Sequence, residues 1–450
     1  TLISITREFL PKTVVQTMEL IEKISAAGVV GAGGAGFPTH VKLKCQAEHF
    51  IVNGIECEPL LRTDRHTMER HAQEIIETVQ IIQKHLGAAK ATIALKRHYH
   101  EAAKAISDTA AGTGVEVYLS ESFYPAGDEQ NLVYCITGKT VPTGGIPLDV
   151  GCVVSNVSTV LNIYNALQGK PVTHKLVTIA GAVAHPITVE APIGAPLALL
   201  LEAAGGTTCD CQFIVGGPLM GKLTDDLSQP VTKTTGGLLA IPKGHPLLQK
   251  KTPSPARDQV LARAVCCQCS MCTQMCPRNA MGLHVEPHKA MRALASGNDA
   301  LLGDHNGIFS CCDCGICTYY ACNFGLKPSV AMQQAKGRLQ RQGIKPRKEV
   351  KYAPDGGIEN KRVPTERMLL RLDLKQFDGD APMGPAITAD AVRIPLKMHI
   401  GAPNKPVVQQ GDRVTCGQLI SEPTGLGARI HASIDGVVAA VTADYIEIRK

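Results

Sequence analysis

Eight cysteines between residues 266 and 322 have the spacing of iron–sulfur ligands. They form two sets, each a Cys-x-x-Cys-x-x-Cys triplet with a fourth member downstream: Cys266, Cys269, Cys272 and Cys276, then Cys311, Cys314, Cys317 and Cys322. The short gaps let one loop wrap three thiolates around a [4Fe–4S] cluster, while the fourth cysteine of each set reaches the other cluster. We therefore predict two clusters with crossed ligation: Cys266, Cys269, Cys272 and Cys322 for one, and Cys311, Cys314, Cys317 and Cys276 for its neighbour.

The second set departs from the first at its end. Four residues separate Cys317 from Cys322, and Asn323 follows where Pro277 follows the fourth cysteine of the first set. Two structural zinc sites are the alternative interpretation, because Cys-x-x-Cys pairs also suit tetrahedral zinc. Two tight triplets with a fourth cysteine each favour clusters. We interpret the adjacent Cys267 and Cys312 as spare thiols.

Length, net charge and cysteine count limit the classes of protein to which the chain could belong. A chain of 450 residues is long enough for about three domains. A formal charge of +6, dispersed along the chain, does not indicate a nucleic-acid binder. Seventeen cysteines without a signal-peptide pattern favour a reducing compartment, and no apolar run approaches the roughly 18 residues of a membrane span. The basic stretch 336–351 is expected to be a solvated linker, with a docking patch for an acidic partner as the alternative.

A glycine-rich loop and a strand–helix alternation occupy the first part of the chain. A helix is predicted over 13–27, and the loop that follows contains Gly31, Gly33, Gly34 and Gly36. Glycines leave backbone N–H groups uncovered and so allow close approach to a phosphate. Strands at 49–52, 91–96 and 115–119 alternate with helices at 68–86 and 99–109, which predicts a parallel sheet covered on both faces. The acidic segment 53–60 follows the first strand, at the edge where such sheets bind ligands.

Four blocks of sequence, in order, resemble one flavoprotein family. They are the glycine loop with Phe37 and Lys42, then 53–59 (NGIECEP), 124–129 (YPAGDE) and 155–159 (SNVST). Together they are similar to the NADH-oxidising flavoprotein subunit of respiratory complex I and to the corresponding subunit of the Rnf ion-translocating complex. The sequence departs from the complex I pattern at Ala32, Ile55 and Ser155.

The resemblance implies a role for each matching residue. Gly31, Gly33 and Lys42 would hold the phosphate and ribityl chain of FMN, within a loop that includes Gly34 and Gly36. Phe37 would stack on the adenine of NADH, and Glu58 would contact its nicotinamide half. The residues that would line the isoalloxazine ring are Asn53, Glu56, Tyr124, Gly127, Glu129, Asn156 and Thr159. No catalytic acid or base is implied.

Later segments extend the resemblance to nearly the whole chain. The expected fold is α/β: a Rossmann-like FMN/NADH domain (1–170), a soluble-ligand-binding β-grasp domain (171–245), a helical ferredoxin-like domain with two [4Fe–4S] clusters (255–340), a basic linker (341–390) and a biotinyl/lipoyl-like barrel-sandwich domain (391–450). A hairpin is expected at 176–189 and an inter-cluster helix at 286–295. The glycine-rich 216–221 is predicted to be a turn, because no strand-to-helix context supports a phosphate loop. Cys209 and Cys211 are expected to be ordinary thiols.

The sandwich domain closes this chain, whereas it precedes the flavin domain in the Rnf subunit. That order resembles the cobalamin reductases of propanediol-utilisation microcompartments. The resemblance implies an NADH-dependent reductase with FMN and two clusters that reduces cobalamin in the cytoplasm, inside a microcompartment, beside a corrinoid adenosyltransferase and shell or cargo proteins. No Asp-x-His-x-x-Gly corrinoid motif is present. Two alternatives stay open: a peripheral Rnf-type NADH:ferredoxin subunit, and a non-enzymatic two-cluster adaptor without a working flavin site.

Overall fold

A parallel sheet organises the first part of the chain in the computed structural model, which describes residues 12–450. Four strands form it in the spatial order β3–β2–β1–β5, and all neighbours are parallel. The strands of this part are β1 (His49–Gly54), β2 (Lys90–Lys96), β3 (Glu116–Ser120), β4 (Phe123–Tyr124) and β5 (Cys152–Asn156). β1 and β2 are buried along almost their whole length, as expected for strands covered on both faces.

Helices pack on both faces of this sheet. They are α1 (Lys12–Ala26), α2 (Thr39–Lys42), α3 (Thr63–Arg70), α4 (Ala72–Leu86), α5 (His100–Ala110), α6 (Glu129–Thr137) and α7 (Val157–Leu167). α4 buries Ile75, Val79 and Ile82 at helical spacing. The single helix expected over 68–86 is two helices, because His71 leaves the helical region (φ −132°, ψ 32°) and a separate helix begins at Thr63.

A five-stranded mixed sheet follows, in the order β7–β6–β10–β8–β9. Its strands are β6 (His174–Gly181), β7 (Ile187–Pro192), β8 (Cys211–Val215), β9 (Lys222–Thr224) and β10 (Gly237–Pro242), with α8 (Leu197–Ala203) and α9 (Pro246–Lys251) alongside. β6 and β7 pair antiparallel, which confirms the predicted hairpin. The segment 216–221 connects β8 to β9 as a turn, as predicted.

The cysteine-rich part is helical. Its helices are α10 (Pro255–Val265), α11 (Met271–Gln274), α12 (Pro287–Ser296), α13 (His305–Phe309) and α14 (Pro328–Arg341), with single π-helical turns at Asn279–Leu283 and Cys317–Ala321. The helix predicted between the two cysteine sets is present as α12. Met291 on α12 and Met332 and Leu339 on α14 belong to one buried core.

The stretch 341–390, expected to be a basic linker, is partly folded onto the rest of the protein. Strand β11 (Val363–Pro364) pairs antiparallel with β4, and helix α15 (Thr365–Arg371) follows it directly. Met368 and Leu369 of α15 are buried in a core that also contains Tyr124. The local run of basic residues concealed these few apolar positions, which is why composition indicated a linker.

Seven short strands in two sheets complete the fold. They are β12 (Ala391–Pro395), β13 (Asn404–Pro406), β14 (Arg413–Val414), β15 (Leu419–Pro423), β16 (Ile430–His431), β17 (Gly436–Val441) and β18 (Tyr445–Arg449), ordered β12–β18–β17–β14 and β13–β15–β16. Lys233, buried, ties this unit to the first: its Nζ donates 2.6 Å hydrogen bonds to the carbonyls of Gly28 and Arg429. Within 12–450, no helix has the length and apolar character needed to cross a membrane.

Candidate electron-transfer site

The carboxyl ends of β1 and β5 bring two of the predicted flavin residues together. Asn53, the last residue but one of β1, and Asn156, the last residue of β5, are register partners. The chain turns to opposite sides of β1 to reach β2 and β5, and such a reversal of strand order opens a ligand-binding crevice. Asn156 caps α7 by accepting a hydrogen bond from the N–H of Ser158.

The glycine loop lies over this edge. Its ends are held by the N–H of Gly31, which donates 2.9 Å to the carbonyl of Phe37. Inside it, the N–H of Ala32 donates 2.9 Å to Thr159 Oγ1. A Cβ on Gly33 would stand 2.7 Å from Asn156 Nδ2, so the close approach of loop and strand end requires glycine there.

The glycine loop leaves the backbone of two glycines and the ring of Phe37 accessible to solvent. Gly33 and Gly34 are exposed, Gly36 has φ +75° and is buried, and Phe37 keeps 37% of its surface exposed. Lys42 on α2 forms a 2.9 Å ion pair with Glu129, and both side chains are partly exposed. Uncovered amides beside a lysine fit the phosphate of a flavin nucleotide, so the residues present fit FMN.

Asn53 and Gly127 join the crevice to the 124–129 segment. Asn53 Nδ2 donates 2.9 Å to the carbonyl of Gly127, and its Oδ1 accepts from the N–H of Ile55. A Cβ on Gly127 would lie 2.2 Å from the Ile55 carbonyl oxygen, so this position also requires glycine. Of the predicted flavin-site residues, the structure therefore brings Asn53, Gly127, Asn156, Thr159 and the loop glycines to one edge.

Glu56 stands at this edge in a structural role. Its carboxylate accepts hydrogen bonds from the N–H and hydroxyl of Thr63 and from the N–H of Asp64, which begin α3. Negative charge at a helix N-terminus satisfies free N–H groups and is stabilising.

A buried acid beneath the loop was missed by sequence reasoning. Asp64 accepts 2.7 Å from Asn156 Nδ2 and 2.9 Å from Ser158 Oγ. Burial, reinforced by the charge of Glu56, raises the pKa of Asp64 to about 7. Lys175, buried beside it, donates 3.1 Å to the Ala32 carbonyl, and burial lowers the pKa of its ammonium. An acid in the first turn of a polar helix is usually solvated, so no sequence signal marked Asp64.

Two predicted site residues make other contacts. Glu58, proposed for the nicotinamide, accepts 2.9 and 2.8 Å hydrogen bonds from the N–H groups of Leu219 and Met220, in the 216–221 turn. Burial raises the pKa of Glu58. Tyr124, proposed for the isoalloxazine, is 1% exposed and donates 2.8 Å to the carbonyl of Cys314. Both side chains therefore link the flavin-like segment to other parts of the chain.

The cysteines line two separate cavities, grouped as the crossed prediction requires. The outer cavity, of about 350 Å³, is lined by Cys266, Cys269, Cys272 and Cys322, with Cys267 on its wall. The inner cavity, of about 330 Å³, is lined by Cys276, Cys311, Cys314 and Cys317, with Cys312 on its wall. Four thiols around each space fit two [4Fe–4S] clusters.

The two cavities differ in their surroundings. The inner one is next to the flavin-like segment: Arg278, on its wall, forms a bidentate ion pair with Asp128, the residue that caps α6. Arg278 also donates to Gln130. Cys267 and Cys269 of the outer cavity are exposed. The inner cavity therefore adjoins the flavin-like segment, and the outer cavity has cysteines at the surface.

Four protein-family models match successive parts of the chain. Residues 24–165 match the Nuo51 FMN-binding domain, 176–222 the SLBB domain, 265–327 a 4Fe–4S dicluster domain and 371–449 the RnfC barrel sandwich hybrid domain. The dicluster match favours iron–sulfur clusters over zinc. These domains define an iron–sulfur flavoprotein, an electron-transferring oxidoreductase with FMN and two [4Fe–4S] clusters.

Two similar proteins match this chain over nearly all of its length. Cobalamin reductase PduS of Salmonella typhimurium is 40% identical over 437 residues, covering 96% of both chains. Cobalamin reductase PduS of Citrobacter freundii is 39% identical over 442 residues, or 97% of both. A component of the proton-translocating ferredoxin:NAD(+) oxidoreductase complex of Clostridium ljungdahlii is 34% identical over 276 residues, covering 60% of this chain and 57% of that one. The chain belongs to the PduS cobalamin reductase family.

Proposed function

We propose that this protein is an NADH-dependent reductase that passes electrons through FMN and two [4Fe–4S] clusters to the cobalt of cobalamin, for alkylation by a corrinoid adenosyltransferase. The observation that carries the proposal is the similarity to two cobalamin reductases over 96–97% of the chain. The similarity to the ferredoxin:NAD(+) oxidoreductase component extends over only 60% of the chain and so supports the Rnf-type alternative less well. On the same family resemblance, we also propose that the protein works inside a propanediol-utilisation microcompartment.

NADH and cobalt exchange different numbers of electrons, so a cofactor that can do both must act between them. NADH loses a hydride, which is two electrons and a proton, and becomes NAD⁺, whereas each cobalt centre accepts one electron. One NADH therefore reduces two Co(III) centres to Co(II) and releases one proton, and a second NADH supplies the two electrons that take both centres on to the nucleophilic Co(I) that is alkylated. FMN, when bound, can accept two electrons together and pass them on one at a time.

The flavin would be held by the edge of the parallel sheet. Gly33 and Gly34 present uncovered backbone, Gly31 holds the base of the loop through its hydrogen bond to Phe37, and Lys42 would supply a cation for the phosphate. Asn53, Gly127, Asn156 and Thr159 would face the ring system, and Phe37 is exposed enough to stack on an adenine. Glu58 and Tyr124 support this site through their contacts with other segments.

Purified protein, handled without oxygen, tests the proposal. We expect about eight irons and one FMN per chain, bleaching of the visible spectrum by NADH, and reduction of two equivalents of hydroxocobalamin per NADH. Eight irons without flavin, or no response to NADH, would favour the non-enzymatic adaptor. Bleaching by NADH without cobalamin reduction, with transfer to ferredoxin instead, would favour the Rnf-type function.

A further inference from the structure

A surface groove adjoins the outer cysteine cavity. The groove is open to solvent, and Met271 and Ala321 line both the groove and the outer cavity. Arg371, on the groove wall, donates 3.0 Å to Asn323 Oδ1, directly after Cys322. An occupant of the groove would therefore be separated from the outer cluster by the thickness of a side chain.

One wall of the groove is the exposed face of α15. Arg367, Leu370 and Arg371 are three and four residues apart and so share this face, while Met368 and Leu369 are buried on the other. Leu370 is 61% exposed and so presents an apolar side chain to an occupant of the groove. Met271, Met275 and Tyr320 also line the groove.

These walls combine two chemistries. Methionine, leucine and tyrosine offer an adaptable apolar surface for a flat macrocycle. The two guanidinium groups offer planar donors that match a phosphate in bidentate fashion. An amphipathic ligand with a broad apolar ring and one attached phosphodiester satisfies both, and a cobalamin has this composition.

We propose that this groove binds the cobalamin acceptor, with the corrin ring against Leu370 and the methionines and the nucleotide phosphodiester on Arg367 and Arg371. The inference rests on the proposed function and extends it by assigning the acceptor site. Cys266, Cys269, Cys272 and Cys322 would hold the outer cluster beside this groove, where the cluster would supply single electrons to the cobalt and NADH would be their source.

Equilibrium dialysis of the anaerobic, cluster-loaded protein tests the site with two probes. Hydroxocobalamin carries the phosphodiester, and cobinamide lacks the whole nucleotide. The double variant Arg367→Glu/Arg371→Glu should bind hydroxocobalamin at least tenfold more weakly and bind cobinamide as wild type does. Leu370→Glu should weaken both probes. Arg341→Glu, at an exposed arginine that does not line the groove, is the control, and iron content confirms that each variant is loaded.

The outcomes separate this inference from the proposed function. If wild type binds and reduces hydroxocobalamin but the double variant and Leu370→Glu bind it equally well, the groove assignment is wrong and the function stands. If wild type neither binds nor reduces hydroxocobalamin, both are wrong. Equal weakening of both probes by the arginine changes would also overturn the phosphodiester contact.

Discussion

The hydroxyl of Tyr124 donates a 2.8 Å hydrogen bond to the backbone carbonyl of Cys314. Tyr124 belongs to a segment that resembles a flavin-binding block, whereas Cys314 lines the inner cluster cavity. The strand that contains Tyr124 also pairs with β11, which leads into α15. One buried tyrosine thus joins the flavin domain, the inner cluster loop and the helix beside the outer cluster.

Tyr124→Phe removes this donor and leaves the Cys314 carbonyl buried without its partner. We expect the free energy of unfolding to fall by about 1–3 kcal/mol, the cost of an unsatisfied buried polar group. Urea denaturation followed by the cluster absorbance measures the change. Tyr118→Phe, at a half-buried tyrosine on β3, is the control. A variant as stable as wild type would show that the hydrogen bond contributes nothing.

Crossed ligation makes a specific prediction for double variants. Cys276→Ala/Cys314→Ala should remove ligands from the inner cluster alone and leave about four irons per chain. Cys272→Ala/Cys276→Ala should damage both clusters and leave almost no iron. Ligation by consecutive sets predicts the reverse, so iron and sulfide analysis of these two proteins decides between the arrangements.

The Arg278–Asp128 ion pair should be important for stability because it is buried. The two side chains are 8% and 13% exposed. Arg278→Gln leaves the Asp128 carboxylate without its cation, and we expect a loss of roughly 3–5 kcal/mol. Arg338→Gln is the matched control, since its bidentate pair with Asp299 is about one-third exposed and should be worth about 1 kcal/mol or less. If both variants lost the same free energy of unfolding, burial would not be the reason that the Arg278–Asp128 pair is important.

Asp64 should make stability depend on pH. Its folded-state pKa is raised to about 7, above the roughly 3.9 of an unfolded chain, so the folded state binds the proton more tightly. The associated stability is present in full below about pH 4 and is lost as pH rises towards 7, by at most about 1.4 kcal/mol per pH unit. Asp64→Asn should therefore gain stability relative to wild type between pH 5.5 and 7.5. Asp108→Asn, at an exposed site, should not, and parallel curves for Asp64→Asn and wild type would contradict the raised pKa.

Patterns with a short, local cause could be predicted from sequence. The spacing of the cysteines led to the two groups that line the cavities, and the alternation of apolar runs led to the parallel sheet and the 176–189 hairpin. The break at His71 escaped prediction because Met68, Ala72 and Ile75 keep helical spacing across it.

Long-range polar contacts could not be predicted. Glu58 meets Leu219 and Met220 more than 150 residues away in the chain, and Tyr124 meets Cys314 at a separation of 190. Nothing in the local sequence of either residue distinguishes such a contact from one with a flavin. The buried state of Asp64 likewise depends on the loop and on α7 closing over it.

The route from flavin to cobalamin is the central claim, and one anaerobic stopped-flow experiment tests it most directly. NADH is mixed with wild type and with Cys314→Ala in the presence of hydroxocobalamin, and flavin and corrinoid absorbances are followed together. We expect both proteins to show flavin bleaching, and cobalamin reduction to slow at least 100-fold in the variant, because the proposed route passes through the inner cluster, whose cavity adjoins the flavin-like segment. Cobalamin reduction at the wild-type rate in a variant that has lost its inner cluster would contradict the route.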